Sequence, residues 1–299
     1  MSFKVAVALG GGASRGLAHL GVLKALEEAG IKIDIVTGSS IGAIIGASYA
    51  SHPKVADTIE QIHSYLHSPN FNQAKLNFIQ ESGKEVKKTT YGQFKKFISN
   101  SYFFAISSTQ SSFITEDTFR NNLEHILPKI RIEDCELAFG VTMTNLGDGK
   151  LVKITRGDLI DHVLASSAIP GIFPPIKLGD EYFIDGSWVE PIPIVLAREL
   201  GADYVIAVDV APIMAPNDQE FTGFNVNMRA SEATRIALKR YNLEQADFVV
   251  RVNHLDLHWA DFMKIDECVV EGQRIMDGMI PRLKSDLFFK KFKSFFWPW

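Results

Sequence analysis

Residues 36–45 read VTGSSIGAII, and this stretch decides how the chain is interpreted. Ser40 stands between Gly38 and Gly42, with apolar residues on both sides. The apolar residues before the stretch predict a strand, and the run at 41–50 predicts a buried helix. A serine at such a turn is typical of a nucleophile elbow, in which flanking glycines remove clashes and the helix N-terminus favours a developing anion. The alternative interpretation is a serine that caps a helix in a tight turn.

A second glycine-rich loop lies upstream. The apolar run at 3–9 predicts the first strand, and Gly10, Gly11 and Gly12 follow it directly, before a predicted helix. Backbone N–H groups can stabilise the oxyanion of an acyl-transfer intermediate, and glycines let a substrate oxygen approach closely. The loop is therefore a candidate oxyanion hole, and Arg15 is expected to pin it.

The same loop has a rival interpretation as a dinucleotide-binding fingerprint. Gly10, Gly12 and Gly16 follow a strand and open a helix, and Asp34 comes about 20 residues later. However, the third glycine is one residue late for G-x-G-x-x-G. Asp34 also falls in the predicted second strand rather than at its carboxyl end. A dinucleotide enzyme is thus the less favoured hypothesis.

Asp185 is the third candidate. The sequence EYFIDG predicts a strand that ends in an Asp-Gly turn, which would bring the carboxylate to the same sheet edge as the two loops. An Asp-Gly turn by itself is common. With Ser40 and the glycine loop, however, Asp185 completes a set of nucleophile, oxyanion donors and base.

The order of predicted elements indicates the fold class. Strand, glycine loop, helix, strand, sharp turn and helix alternate, which predicts a mainly parallel sheet covered by helices. Residues 52–130 mix charged and aromatic residues in helix-like segments, which we interpret as a helical insertion or lid. Strands return after this region, with a predicted hairpin around the Asp-Gly turn at 145–149.

Composition excludes several classes of protein. The 299 residues are 46% hydrophobic and 22% charged, with a net charge of −4, so no global field attracts nucleic acid. The two cysteines do not form a metal-binding motif, and neither a metal nor an organic cofactor is expected. No signal peptide and no run of about 18 apolar residues is present, so we expect a cytoplasmic protein.

Four motifs together resemble the patatin-like phospholipase family. They are GGGASRG at 10–16, GSSIG at 38–42, SSAIPGIFPP at 166–175 and DGS at 185–187, in the order that the family requires. The resemblance implies a three-layer α/β/α fold with a mainly parallel central sheet, and a Ser–Asp dyad that hydrolyses acyl esters of lipids. One departure is visible: many members have DGG or DGA followed by an asparagine, whereas this chain has DGSWVEP.

Carried over by position, the resemblance gives each motif a role. Ser40 is the nucleophile and Asp185 the base, Gly10, Gly11 and Gly12 with Arg15 form the oxyanion hole, and Gly38 and Gly42 complete the nucleophile elbow. The implied function is a phospholipase A or lysophospholipase-type serine esterase acting on a lipid or phospholipid. A low-turnover regulatory or membrane-associated protein that keeps the patatin-like fold is the alternative.

The eight histidines also allow a conventional triad of Ser40, Asp185 and either His254 or His258. HLDLHW has no distinguishing signature, so direct proton transfer from Ser40 to Asp185 is the preferred hypothesis. His19, one turn into the first helix, could border the site without a clear role.

The C-terminal sequence DLFFKKFKSFFWPW predicts an aromatic and basic helix. One helical face would carry Phe288, Phe289, Phe292, Phe295, Phe296 and Trp299, with Lys290 and Lys293 opposite and Lys291 at the border. This pattern is typical of a helix at an anionic membrane surface. Packing on its own domain or on a second subunit of a homo-oligomer is the alternative. We therefore divide the chain into a catalytic domain at 1–283 and a tail at 284–299, which would place the protein peripherally at the inner face of the membrane.

Overall fold

A computed structural model describes residues 3–69, 71, 112, 114–211, 223–252, 257 and 259–296. Labels follow the described elements in chain order. The strands are β1 (Val5–Leu9), β2 (Ile35–Gly38), β3 (Ala138–Asn145), β4 (Leu151–Ile154), β5 (Ile176–Leu178), β6 (Glu181–Asp185), β7 (Tyr204–Asp209) and β8 (Phe248–Arg251). The helices are α1 (Ala18–Glu28), α2 (Ile41–Ser51), α3 (Val55–Leu66), α4 (Glu116–Glu124), α5 (Leu159–Ser166), α6 (Ile194–Glu199), α7 (Gly223–Leu243) and α8 (Ile265–Phe296).

The strands form one mixed sheet in the order β5-β6-β3-β2-β1-β7-β8, with β4 paired to β3. β1 lies in the centre, parallel to β2 and β7, while β2 pairs parallel with β3 and β7 with β8. β4, β5 and β6 add antiparallel pairs at the β3 side. The predicted three-layer α/β/α fold with a mainly parallel sheet is confirmed.

β1 shows why this sequence forms a central strand. All five of its residues are buried, and their side chains alternate between two hydrophobic clusters. Val5, Val7 and Leu9 belong to the larger cluster, which also contains residues of α1, α2 and α8. Ala6 and Ala8 belong to a smaller cluster, which contains residues of α6. A strand covered on both faces must be apolar throughout, as this one is.

The register brings the predicted functional segments to one edge of the sheet. Leu9, at the end of β1, pairs with Gly38, at the end of β2. β3 extends past β2, and its residue Met143 pairs with Asp185 at the end of the antiparallel strand β6. The glycine loop, the Ser40 turn and Asp185 therefore leave the sheet at neighbouring positions of one edge.

Other predictions of organisation have mixed outcomes. The hairpin between β3 and β4 is confirmed. α3 and α4 lie within the predicted helical insertion, but most of residues 72–113, including the basic stretch at 84–97, lie outside the described residues. The predicted boundary at 283/284 falls inside α8, which runs from Ile265 to Phe296, and the division into a catalytic domain and a tail stays a prediction. Among the described helices, none is long and apolar enough to span a membrane.

Candidate active site

The Ser40 turn is a strained strand-to-helix connection. Ser40 has a φ of 57°, in the left-handed region that residues other than glycine rarely adopt. A Cβ atom on Gly38 would lie 2.3 Å from the Gly42 oxygen, and one on Gly42 would lie 2.1 Å from the Leu9 oxygen. Both glycines are therefore required by close backbone approach, and the strain is held at the residue predicted to be the nucleophile.

Two serines of the SSAIPGIFPP motif hold the Ser40 backbone. The N–H of Ser40 donates to the Ser166 carbonyl oxygen at 3.1 Å, and the Ser167 hydroxyl donates to the Ser40 carbonyl oxygen at 3.0 Å. Both serines are buried. These bonds offset the cost of the left-handed conformation and fix the turn from the side of α5.

Asp185 is buried and lies next to Ser40. Its Oδ1 accepts hydrogen bonds from the Ser187 N–H at 2.8 Å and from the Ser187 hydroxyl at 2.6 Å. Burial raises the pKa of Asp185, while hydrogen bonding from Ser187 and Ser40 and the positive charge of Arg235 act in the opposite direction. The carboxylate is thus a stronger base than a solvated aspartate, yet its ionised form has donors that stabilise it.

The glycine loop lies directly against the side chains of Ser40 and Ser187. A Cβ atom on Gly11 would come within 2.9 Å of the Ser187 side chain and 3.3 Å of the Ser40 Cβ. The N–H groups of Gly10 and Gly11 donate to the Val208 and Pro191 carbonyl oxygens, at 3.2 and 3.1 Å. Within the described part of the chain, these two amides therefore already have acceptors.

Gly12 differs from its two neighbours. Its N–H has no hydrogen-bond acceptor among the described residues. A Cβ atom here would collide with Val210 at 2.6 Å, and Ala13, the next residue, has φ of 50°. Ala13, the second non-glycine residue with a positive φ in the described chain, thus directly follows the Gly12 amide.

Arg15 and Ser14 anchor the glycine loop to the segment at 257–259. The Arg15 guanidinium donates to the Leu257 carbonyl oxygen, and the Ser14 N–H donates to the Trp259 oxygen at 3.0 Å. This geometry agrees with a pinning role for Arg15, and it gives no direct contact between the guanidinium and Ser40.

His19 is a further anchor that the sequence left without a role. Its Nε2 lies 2.8 Å from the Gly10 carbonyl oxygen, so Nε2 carries the proton and donates it. His19 is fully buried, and burial lowers its pKa to about 4, against the raising effect of the Gly10 bond. The imidazole is therefore neutral near pH 7 and holds the glycine loop.

Arg235 on α7 is a cationic group that acts on Asp185. Its guanidinium lies over the Trp188 ring, 5.6 Å from the centroid, and pairs with Glu232 at 3.3 Å. Its charge also lowers the pKa of Asp185. α7 follows residue 210 and carries none of the four motifs on which the family resemblance rests.

An apolar cavity opens beside Ser40. The cavity is partly open to solvent, and its described lining includes Ser40 and Ser167. The remaining lining residues are almost all apolar and come mainly from α2, α3, α4 and the segments around Phe173 and Trp259; they include Ile44, Ile62, Phe119, Leu123 and Ile126. A cavity with this apolar lining suits an aliphatic chain attached to a carbonyl at Ser40.

The rival interpretations receive no support from this geometry. Asp34 lies just before β2, where its carboxylate accepts the Val5 N–H at 3.0 Å, at the edge of the sheet opposite the glycine loop. It therefore cannot reach a ribose bound at that loop. His254 and His258 lie outside the described residues. No group of three potential metal ligands occurs in the described ranges.

A family model for the patatin-like phospholipases matches residues 7–198. The chain belongs to the patatin-like phospholipase family. The match contains all four motifs from which the resemblance was predicted, and that prediction is confirmed.

Curated relatives in the family include lysophospholipases. The chain is 33% identical over 214 residues to Lysophospholipase NTE1 of Coccidioides immitis and 31% identical over 219 residues to Lysophospholipase nte1 of Neurospora crassa. These matches cover 70% and 73% of this chain but only 12% of each relative. Among solved structures, VipD from Legionella pneumophila matches with a TM-score of 0.49 and 13% identity, over 94% of this chain and 67% of VipD.

Proposed function

We propose that this chain is a lipid acyl hydrolase of the phospholipase A or lysophospholipase type, with a Ser40–Asp185 dyad. The observation that carries the proposal is the buried Asp185 carboxylate beside a strained Ser40 at the mouth of an apolar cavity. Family membership supports the reaction class. The longer lysophospholipases support an ester of a lipid as the substrate.

In the proposed reaction, the Ser40 hydroxyl attacks the ester carbonyl and its proton passes to Asp185. The oxyanion lies in the glycine loop predicted from Gly10, Gly11, Gly12 and Arg15. The Gly12 N–H is its principal donor there, because the amides of the other two glycines have acceptors within the fold. The leaving alcohol takes the proton from Asp185, and water then releases the fatty acid from the acyl-serine.

The tests need a serine control, and the chain provides one. Ser39 is buried next to Ser40, and its hydroxyl has no hydrogen-bond partner in the part of the chain that is described. We expect Ser40→Ala to abolish hydrolysis across a panel of phospholipids, lysophospholipids and short-chain esters, and Ser39→Ala to keep it. A fluorophosphonate probe should label wild type and Ser39→Ala but not Ser40→Ala.

The outcomes separate the alternatives. Wild type that neither turns over any ester nor reacts with the probe would favour the low-turnover regulatory protein. Activity that survives in Ser40→Ala would refute the dyad.

We also propose that the end of α8 tethers the chain to an anionic membrane. Phe288, Phe289 and Phe292 are 65%, 65% and 55% exposed, and the Phe288 ring packs against each of the other two. Two exposed lysines, Lys291 and Lys293, flank these rings. The Lys291 ammonium also lies over the Phe3 ring. Exposed aromatic rings beside lysines match the chemistry of an anionic lipid surface. The side chains of Phe295 and Phe296 and residues 297–299 lie outside the described part.

The position of this aromatic face limits its role. Lys291 lies over Phe3, which precedes β1, and Lys290 pairs at 2.9 Å with Asp247, which precedes β8. Because both contacts lie where parallel strands begin, the aromatic face is at the sheet edge opposite Ser40. Contact here would tether the chain rather than deliver lipid to the cavity. We expect Phe288→Ser/Phe289→Ser/Phe292→Ser to lose binding to phosphatidylserine vesicles but to keep soluble-ester hydrolysis. Val270→Ser, at a 65% exposed position of the same helix, is the control, and equal vesicle binding by all three proteins would contradict the tether.

A further inference from the structure

The segment of residues 185–193 includes the predicted base and contacts both the glycine loop and the strand that leads to Ser40. It begins with Asp185 itself. The Pro191 carbonyl oxygen accepts the Gly11 N–H at 3.1 Å, which fixes the glycine loop. The Pro193 carbonyl oxygen accepts the Thr37 hydroxyl at 2.8 Å, in the strand that leads to Ser40. A shift of this short segment would therefore displace the base, the oxyanion loop and the approach to the nucleophile together.

Glu190 lies inside that segment, and its side chain is an unusual group for its surroundings. Glu190 is only 2% exposed. Its Oε1 accepts one long hydrogen bond, from the Val195 N–H at 3.4 Å, and its Oε2 has no partner among the described residues. An ionised carboxylate normally takes several hydrogen bonds, and burying one with so few is costly.

The charged groups around Glu190 do not offset that cost. Burial raises the pKa of Glu190 to about 7, Lys153 opposes this effect, and Glu199 adds to it. Lys153 is itself in an ion pair with Glu199. Segment 185–193 carries one more carboxylate, that of Asp185. The Asp185 carboxylate accepts hydrogen bonds from Ser187 and makes none with Glu190.

We propose that Glu190 is a positioning residue whose side chain must stay uncharged for segment 185–193 to hold the active site together. On ionisation, the carboxylate would turn toward water or Lys153 and would draw the Pro191 carbonyl away from Gly11. The site would then lose order as the pH rises. The kinetic test of this inference rests on the proposed hydrolase function. The structural test rests on the fold alone.

The direction of the pH effect follows from the two carboxyl groups. Asp185 must be ionised to act as a base, so activity falls on the acidic side. Glu190 must be neutral, so activity falls again as the pH rises above about 7, roughly tenfold per pH unit beyond it. A buried carboxyl group would thus form the alkaline limb of a bell-shaped profile.

The kinetic test compares wild type with Glu190→Gln, which keeps the length of the side chain and stays neutral at every pH. We would measure kcat/KM on a soluble short-chain ester between pH 5.5 and 9. Wild type should lose activity by about tenfold or more between pH 7 and 8.5, while Glu190→Gln should keep its activity over the same range. Parallel alkaline limbs in the two proteins would overturn the proposal. Glu190→Met, a second uncharged variant, covers the case in which the glutamine variant does not fold.

A second readout does not depend on turnover. Hydrogen exchange of peptides covering residues 185–193, in a Ser40→Ala background and corrected for intrinsic rates, should show lost protection between pH 6 and pH 8.5. The same peptides in Ser40→Ala/Glu190→Gln should stay protected. If wild type hydrolyses nothing but this difference is observed, the hydrolase function fails and the role of Glu190 stands. Equal protection in both proteins at both pH values would refute that role even in an active enzyme.

Discussion

Protonation of His19 should make this fold sensitive to mild acid. His19 is fully buried, donates from Nε2 to the Gly10 carbonyl oxygen, and has an Nδ1 with no partner among the described residues. Its pKa is lowered from 6.5 to about 4. The fold therefore favours the neutral ring, and His19 contributes stability above pH 6.5 that is lost as the pH falls toward 4.

The size of this effect follows from the difference between the folded and unfolded pKa values. At pH 5 the unfolded chain binds a proton at His19 and the folded chain mostly does not, which lowers the free energy of unfolding by about 2 kcal/mol relative to pH 7. Below pH 4 the loss reaches about 3 kcal/mol. Either value is a substantial fraction of the stability of a typical domain.

The matched variant is His19→Gln, whose side-chain N–H can reach the Gly10 oxygen but cannot titrate. Urea unfolding at pH 7 and pH 5, followed by circular dichroism, gives the free energy of unfolding of each protein. Buried and ion-paired carboxylates contribute equally to both proteins, so the difference between them isolates His19. A loss between pH 7 and 5 that is the same for wild type and His19→Gln, within about 0.5 kcal/mol, would refute the reasoning.

Three further changes test the site. Asp185→Asn keeps the shape of the side chain but removes the base, so kcat should fall by about 100-fold or more while the urea midpoint changes little. Gly42→Ala should cost about 3 kcal/mol or more in urea unfolding, because its Cβ would lie 2.1 Å from the Leu9 oxygen, whereas Gly278→Ala, at an open position of α8, should stabilise by about 0.5–1 kcal/mol. Ile44→Trp narrows the cavity, so it should lower kcat/KM for long-chain esters and spare acetate esters; an equal effect on both would argue against an acyl pocket.

Much of the site was predictable because its chemistry is local in sequence. A serine between two glycines, after an apolar strand and before an apolar helix, indicates a strained turn through backbone sterics alone. The glycine loop and the strand that ends at Asp185 are equally local signals. Alternating strands and helices then predict a parallel sheet, whose shared carboxyl edge brings these pieces together.

Other parts of the site carry no local signal. Ser166 and Ser167 lie within a motif that the sequence identified, but their bonds to the Ser40 backbone depend on how α5 packs against the turn. His19 has the spacing of an ordinary helix residue, and only its contact with Gly10 assigns it a role. Arg235 follows the matched region and reaches Trp188 across the molecule.

The sequence by itself determined the α/β class, the serine turn, the glycine loop and the candidate base, since each depends on steric rules within a few residues. Only the tertiary structure decided that Glu190 is buried almost without hydrogen bonds and that the aromatic end of α8 lies at the edge opposite Ser40. Burial and ionisation depend on neighbours from distant parts of the chain. Phe3 and Lys291, for example, lie at opposite ends of the chain and contact each other only in the folded structure.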